Sequence, residues 1–374
     1  MNARVAAKGW CPGAWRPMAS GDGLIVRVRP VLGRLTAAQV ATLCDAAMEC
    51  GSGMLELTSR ANLQLRGVRG EAHEDLLARL WELGLIDADQ EAETRRNLLV
   101  APLWQAGDDT ESTATALLER LADLPVLPAK FGFAIDAGEA PVLGAASADI
   151  RLERGVTGGM ILRADGCAKG RPVTAGDAVD EIIRLARWFA ETSGTAGRMA
   201  RHPALREVEG SEPPAPSASL PVPGDTLLGS AWGVAFGQID ADRLARLVTD
   251  SGAEALRITP SRVVILEGGK AVGTEGFIGD RSNPLLTTDA CPGAPLCGSA
   301  TVETRKLARA LAGHVAGLHV SGCAKGCARA RAAPVTLVGR DGRFDLVSDG
   351  AAWDAPQRRG MTPAQVLELF GVAR

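Results

Sequence analysis

No stretch of this 374-residue chain free of Asp, Glu, Lys and Arg exceeds the 15 residues from Ala310 to Ala324, and His314 and His319 interrupt even that one. A membrane-spanning helix needs roughly 18 or more apolar residues, so none is predicted. The N-terminus has no continuous apolar core ahead of Cys11-Pro-Gly13. A secretory signal is therefore not expected, and the cytoplasm is the expected compartment. Neither sign of charge dominates, since 41 Lys and Arg stand against 44 Asp and Glu for a net charge of -3. This balance argues against a dedicated nucleic-acid protein but permits a local basic pocket. A Gly-x-Gly-x-x-Gly turn between strand and helix is also missing, because Gly51-Ser-Gly53 lacks the third glycine and precedes a strand. No flavin or nicotinamide site is predicted, so an electron donor has to be external.

Forty-six per cent of the residues are hydrophobic and 23% charged, enough to bury more than one core, and the length suggests two or three domains. The clearest shift in composition is Glu209 to Gly224, where five prolines preclude helix and central strand. It reads as an extended linker between two halves. The halves repeat one order of elements. In the first, Gly23–Arg29 has strand character, Thr36–Cys50 is an amphipathic helix capped by Thr36, and Met54–Leu57 and Leu63–Val68 are strands. In the second, Trp232–Phe236, Asp240–Ser251 with Asp240 as cap, Ala255–Thr259 and Val263–Leu266 follow suit. Leu55-Glu-Leu-Thr58 even lies opposite Leu256-Arg-Ile-Thr259. An internal duplication of a βαββ unit, each copy followed by a larger α/β segment, is the expectation; chance coincidence of two common modules is the alternative.

Eight cysteines in a chain of this length, without a signal, point away from disulfides and towards metal. Cys291-Pro-Gly-Ala-Pro-Leu-Cys297 and Ser321-Gly-Cys323-Ala-Lys-Gly-Cys327 form a C-x5-C and a C-x3-C pair. Four thiolates on Gly-rich and Pro-rich loops can converge on one compact centre, and an iron-sulfur cluster suits this spacing better than zinc, which favours tighter pairs. Cys44 and Cys50, on the apolar helix, read as packing residues. Cys167 sits in Gly166-Cys-Ala-Lys-Gly170, an echo of Gly322-Cys-Ala-Lys-Gly326, but Arg171 replaces the second cysteine; Cys11-Pro-Gly echoes Cys291-Pro-Gly.

The cysteine pattern following a duplicated βαββ module resembles the nitrite and sulfite reductase superfamily, whose members hold a 4Fe-4S cluster beside a tetrapyrrole. Within it, the short length and the opening Cys11-Pro-Gly and Pro17-Met-Ala-Ser-Gly-Asp-Gly-Leu24 look most like the precorrin-3B synthases of aerobic cobalamin biosynthesis. The resemblance runs from about Gly9 to the end. It implies an α+β chain with a duplicated nitrite/sulfite reductase-like architecture: two ferredoxin-like half-domains plus two larger α/β domains, the second carrying the cluster. The corresponding divisions are residues 1–88, 89–201, a Pro-rich linker at 202–226, 227–275 and 276–374.

The resemblance also assigns residues. Leu57-Thr-Ser-Arg-Ala-Asn-Leu-Gln-Leu-Arg66 is similar to the segment that reaches the tetrapyrrole, which implies Thr58, Arg60, Asn62 and Gln64. Thr94-Arg-Arg-Asn-Leu98 is similar to the segment contributing Arg96 and Asn97. Leu127-Pro-Ala-Lys-Phe-Gly132 resembles the Lys-x-Lys strand of sulfite reductases, with Lys130 kept and Gly132 in place of the second lysine. A precorrin bears eight carboxylate arms, and Arg offers a planar fork for each, so Arg60, Arg96 and Lys130 suit such a pocket; singly, each reads equally as a surface charge, and Arg60 and Arg66 as decoration of a strand edge. Loss of the second lysine removes a cation from the oxyanion site and leaves space at Gly132.

The implied activity is an oxygen-dependent monooxygenase that converts precorrin-3A to precorrin-3B, hydroxylating C20 and closing a γ-lactone. The 4Fe-4S cluster on Cys291, Cys297, Cys323 and Cys327 would pass electrons from an external reductant, with Cys327 nearest the tetrapyrrole. A mononuclear non-haem iron is also implied for the family. Among His73, His202, His314 and His319 no 2-His-1-carboxylate set is evident, and His319 is the best placed. A sirohaem-dependent nitrite or sulfite reductase and a zinc-stabilised, non-catalytic binding protein are the rival readings.

Overall fold

A computed structural model describes residues 12–273 and 275–372. Strands β1 (Met18–Ser20), β2 (Gly23–Val28) and β3 (Arg34–Thr36) lead into helix α1 (Ala37–Cys50), and β4 (Met54–Leu57) and β5 (Leu63–Val68) complete the first βαββ unit. Helices α2 (His73–Glu82) and α3 (Gln90–Arg95) lead to β6 (Leu98–Val100), α4 (Asp109–Glu119), β7 (Phe133–Asp136), β8 (Ile150–Arg154), β9 (Met160–Ala164), β10 (Arg171–Val173) and α5 (Ala178–Thr192). The second unit comprises β11 (Gly224–Thr226), β12 (Gly229–Gly233), β13 (Gln238–Asp240), α6 (Ala241–Ser251), β14 (Ala255–Ile258) and β15 (Val263–Glu267). It is followed by β16 (Asp289–Ala290), α7 (Arg305–Leu311), β17 (Leu318–Ser321), β18 (Ala333–Arg340), β19 (Arg343–Gly350), β20 (Arg358–Met361) and α8 (Pro363–Leu369).

The caps read from sequence do the work expected of them. Thr36 accepts from the N–H of Gln39 while the Gln39 side chain accepts from the N–H of Thr36, and Asp240 accepts from the N–H of Arg243. The duplication is geometric as well as textual. Each unit carries a left-handed residue just before its β3 or β13 strand, Leu32 and Phe236, and another in the hairpin turn, Ala61 and Arg262. A non-glycine residue rarely adopts this conformation, so four matched instances argue for descent from one unit rather than coincidence.

The units are not separate bodies. The first sheet has the order β1-β2-β5-β4-β13 and the second β11-β12-β15-β14-β3, so each copy lends its short pre-helical strand to the other's sheet. Leu35 pairs with Leu256, and Ile239 with Leu55. Helices α1 and α6 pack against each other beneath the two sheets, and one core holds Leu43, Leu55 and Leu63 together with Leu244, Leu247 and Leu256. The two half-domains, successive in the sequence, form one strand-exchanged pair. The strand expected at Trp232–Phe236 is β12 at Gly229–Gly233, since the chain turns at Gly233 towards β13. The linker expected at 202–226 ends inside the second sheet, as β11, and on its way bridges Glu212 to Gly170 and Pro214 to Gly155.

The larger segments also match. The third sheet, β10-β9-β8-β7-β6, and the fourth, β16-β17-β18-β19-β20, each contain three parallel strands followed by two antiparallel ones. Equivalent loops follow β6 and β16. The first covers the outer face of the second sheet, where the carbonyls of Pro102 and Trp104 accept from Arg257. The second covers the outer face of the first sheet, where the carbonyl of Leu296 accepts from Arg66 and Ser20. Ala101-Pro102 therefore stands where Cys291-Pro292 stands in the other copy. By contrast, Gly166–Gly170 lies in the turn between antiparallel β9 and β10, whereas Gly322–Gly326 follows parallel β17, so that echo of sequence is not a structural counterpart.

Candidate functional site

Cys291 and Cys297 lie on the loop after β16, and Cys323 and Cys327 on the loop after β17. Parallel pairing of β16 with β17 brings the two loops to one end of the sheet. They interlock through Thr301 N–H to the carbonyl of Gly322 at 3.1 Å and Gly322 N–H to Cys291 Sγ at 3.1 Å. Glycine is required here: a Cβ on Gly322 would lie 2.5 Å from Ala300 Cβ, and one on Gly293 2.6 Å from Thr304 Oγ1. Burial pushes the Cys291 thiol pKa up, opposed by the N–H groups of Gly322 and Gly293. Burial likewise raises Cys327, and Cys291, Cys323 and Cys297 each raise it further. Cys291 is buried and Cys327 exposed, so Cys327 is the sulfur open to a large neighbour.

Facing this end is the outer surface of the first sheet. Alternation sends Val26, Val28, Leu55, Leu63 and Leu65 into the core and leaves a polar row on the other side. Arg27 is paired with Gln64, Gln64 with Glu56, and Glu56 with Gln238 across four strands. One pleat further, Arg29 comes abreast of Asn62, and Thr58 N–H donates to the Asn62 carbonyl at 2.9 Å. The Nε atoms of Arg27 and Arg29 are buried and have no hydrogen-bond partner among the described residues. Arg29 Nη1 lies 2.8 Å from Glu93 Oε1 without the angle of a directed hydrogen bond. Burial depresses its pKa, and Arg27 and Arg96 depress it further against Glu93 and Asp87. Buried cations with unused donors are costly unless an anion completes them.

The residues expected from sequence gather around this face. Arg60 Nη2 donates to the carbonyl of Lys130 at 3.0 Å, and Asn97 Nδ2 donates to the carbonyl of Phe131. Arg96 is buried against Asp87 at 3.0 Å, beside Arg29. Gln64 lies in the polar row itself. The Thr58 hydroxyl is engaged locally, accepting from the N–H groups of Arg60 and Asn62. Two expectations are corrected. Gly132 leaves no open space, because a Cβ there would meet Asn97 Nδ2 at 2.9 Å. Arg66 is not edge decoration: it is 3% exposed and joins Asp22, Glu56, Ser20 and Leu296. Sequence reasoning missed Arg27, Arg29 and Arg305, the last of which reaches Glu56 on this face from α7. The signal for the first two was the Val-Arg-Val-Arg alternation, read only as a strand. Cys44, Cys50 and Cys167 are buried packing residues, and Cys11 lies outside the described residues.

Residues 16–83 match the nitrite/sulfite reductase ferredoxin-like half domain family. A precorrin-3B synthase from Sinorhizobium sp is 33% identical over 93% of this chain and 84% of its own. The chain belongs to the precorrin-3B synthase family. A ferredoxin–nitrite reductase from Synechococcus elongatus is more distant, at 25% identity over 90% of this chain and 80% of that one. The NirA protein of Mycobacterium tuberculosis superposes with a TM-score of 0.57 at 18% identity, covering 92% of this chain and 79% of that chain, which establishes the duplicated nitrite/sulfite reductase-like fold.

For a member of the precorrin-3B synthase family the thiol arrangement suits a cluster. Four thiols on two interlocked loops at one end of the sheet, with the Gly322 N–H directed at Cys291 Sγ, are donors of the kind that hold an iron-sulfur group. The histidines assemble no mononuclear site. His73 bonds the carbonyl of Ala14, His202 stacks on Trp188, His314 is exposed, and His319 is wholly buried with neither ring nitrogen bonded among the described residues. No helix among the described residues is long and apolar enough to cross a membrane.

Proposed function

We propose that this chain is an oxygen-dependent monooxygenase that converts precorrin-3A to precorrin-3B, hydroxylating C20 and closing the γ-lactone. The observation that carries the reading is the opposition of four convergent thiols in the second copy to a buried face of under-bonded arginines in the first. A ligand between them has to be large and rich in carboxylates. Arg27, Arg29, Arg60, Arg96 and Lys130 anchor carboxylate arms, by bidentate contact where Arg is used. Asn62, Gln64 and Asn97 supply neutral donors, and Thr58 holds the turn that presents Arg60. A 4Fe-4S cluster on Cys291, Cys297, Cys323 and Cys327 supplies one-electron transfer. One oxygen atom enters the macrocycle, and the other leaves as water with two electrons and two protons delivered from an external donor.

The reductase alternative gains no footing at the position that separates the two. A small oxyanion needs a concentrated set of cations, and the second lysine is replaced by Gly132, against which Asn97 is packed. The test is the visible spectrum and turnover of anaerobically reconstituted protein. A broad iron-sulfur shoulder without sirohaem, and no sulfite or nitrite reduction when sirohaem is supplied, are expected. Tightly bound sirohaem with robust reduction of either anion contradicts the proposal.

A further inference from the structure

We infer that Arg305, on the cluster-bearing half, is a binding residue of the same site and takes one carboxylate arm of the tetrapyrrole. The inference rests on the tetrapyrrole reading above. Arg305 opens α7 directly after Thr304, whose hydroxyl donates to the carbonyl of Cys291. Its Nη2 crosses to the outer face of the first sheet and donates to Glu56 Oε1 at 2.5 Å. Its Nε and Nη1 are buried and unbonded among the described residues. A guanidinium has five N–H donors, and each one left buried and unsatisfied forfeits the hydrogen bond it made with water. An ion pair that served only to join the halves would be expected to use these donors.

Placement identifies the missing partner. Glu56 sits in the row that runs through Gln64 to Arg27, whose Nε is also buried and unbonded. Two strand spacings, about 10 Å, separate the Glu56 and Arg27 positions. One small oxyanion cannot serve both ends, whereas carboxylates spread round a macrocycle can. The charges allow it: Glu56 is shared between Arg305 and Arg66, and Arg66 also holds Asp22. Arg309, one turn along α7, adds a further cation near enough to Arg305 to feel its repulsion. The surplus is positive, as an anionic ligand requires.

The experiment is a fluorescence titration of the cluster-loaded protein with uroporphyrin, which carries eight carboxylates, and with coproporphyrin, which carries four. Arg305→Met is expected to weaken uroporphyrin binding at least tenfold and coproporphyrin binding less, with iron content and Tm unchanged; Arg305→Lys restores part of the affinity. The double variant Arg305→Met, Glu56→Gln, which leaves no carboxylate stranded, keeps the binding loss. Unchanged uroporphyrin affinity in a folded Arg305→Met protein overturns the inference. So does a fall in Tm that accounts for the loss and is repaired, with affinity, in the double variant. Failure of the unsubstituted protein to bind uroporphyrin overturns the tetrapyrrole reading itself.

Discussion

Arg29 is the residue on which the pocket's charge turns, being buried, pressed by two neighbouring guanidinium groups and paired with Glu93 at 2.8 Å. Arg29→Met combined with Glu93→Gln, which leaves no buried carboxylate stranded, should weaken binding of an eight-carboxylate porphyrin at least tenfold, or about 1.4 kcal/mol, as read by titration, while Arg29→Met alone also lowers the Tm. His319 makes a separate prediction. Burial holds its pKa down to about 4, with Asp289 pulling up and Arg329 pushing down. The fold therefore favours the neutral ring, and this stabilisation is present above the unfolded value near 6.5 and lost as the pH falls towards 4. Relative to His319→Leu, the natural protein should lose about 2 kcal/mol between pH 7 and pH 5, measured by urea unfolding. An equal pH dependence in both proteins would contradict that assignment. Of the site, the cysteines and the Thr58–Gln64 segment were legible because their motifs are local. Arg27 and Arg29 were visible only as alternation, and nothing in a linear text announces that a strand's polar face is roofed by a loop from the other half of the chain. Arg305 belongs to that same class.

At the scale of elements, the hairpin turn between β4 and β5 is held by a hydroxyl. The Thr58 hydroxyl accepts two backbone N–H groups, as Thr259 does from Ser261 and Val263 in the second copy. Thr58→Val should cost about 1–3 kcal/mol and reduce porphyrin affinity through misplacement of Arg60, read by urea unfolding and by titration. A Thr58→Ser variant, which keeps the acceptor, should recover most of both. Helices α1 and α6 were read to within a residue because their caps and apolar spacing are written locally. Strands β3 and β13 were not read at all. Three residues long, they are held by pairing with the other copy, which no local propensity encodes. The Gly-Cys-Ala-Lys-Gly echo, already broken by Arg171, has no counterpart in the fold, since similar words occupy turns of different kinds.

The whole molecule is two copies of one module pair that cannot be drawn apart, because each βαββ sheet contains a strand of the other copy and the two βαββ units share one core. A chain cut within the linker, between Pro216 and Leu220, should therefore yield halves that co-purify when produced together and fail to fold when produced singly; two independently folded halves would contradict the exchange. The duplication also divides the labour. The second copy keeps the paired thiols and Arg305, the first presents the other arginines, and Ala101 in place of a cysteine leaves the first copy without an equivalent centre. The central claim is that this divided site handles a tetrapyrrole as substrate. Its most direct test is to incubate the anaerobically reconstituted protein with precorrin-3A, dioxygen and a reductant, and to follow the mass of the macrocycle. A product heavier by one oxygen atom, formed only with the cluster intact, is the predicted result; no gain in mass with the cluster intact and the tetrapyrrole bound would contradict it.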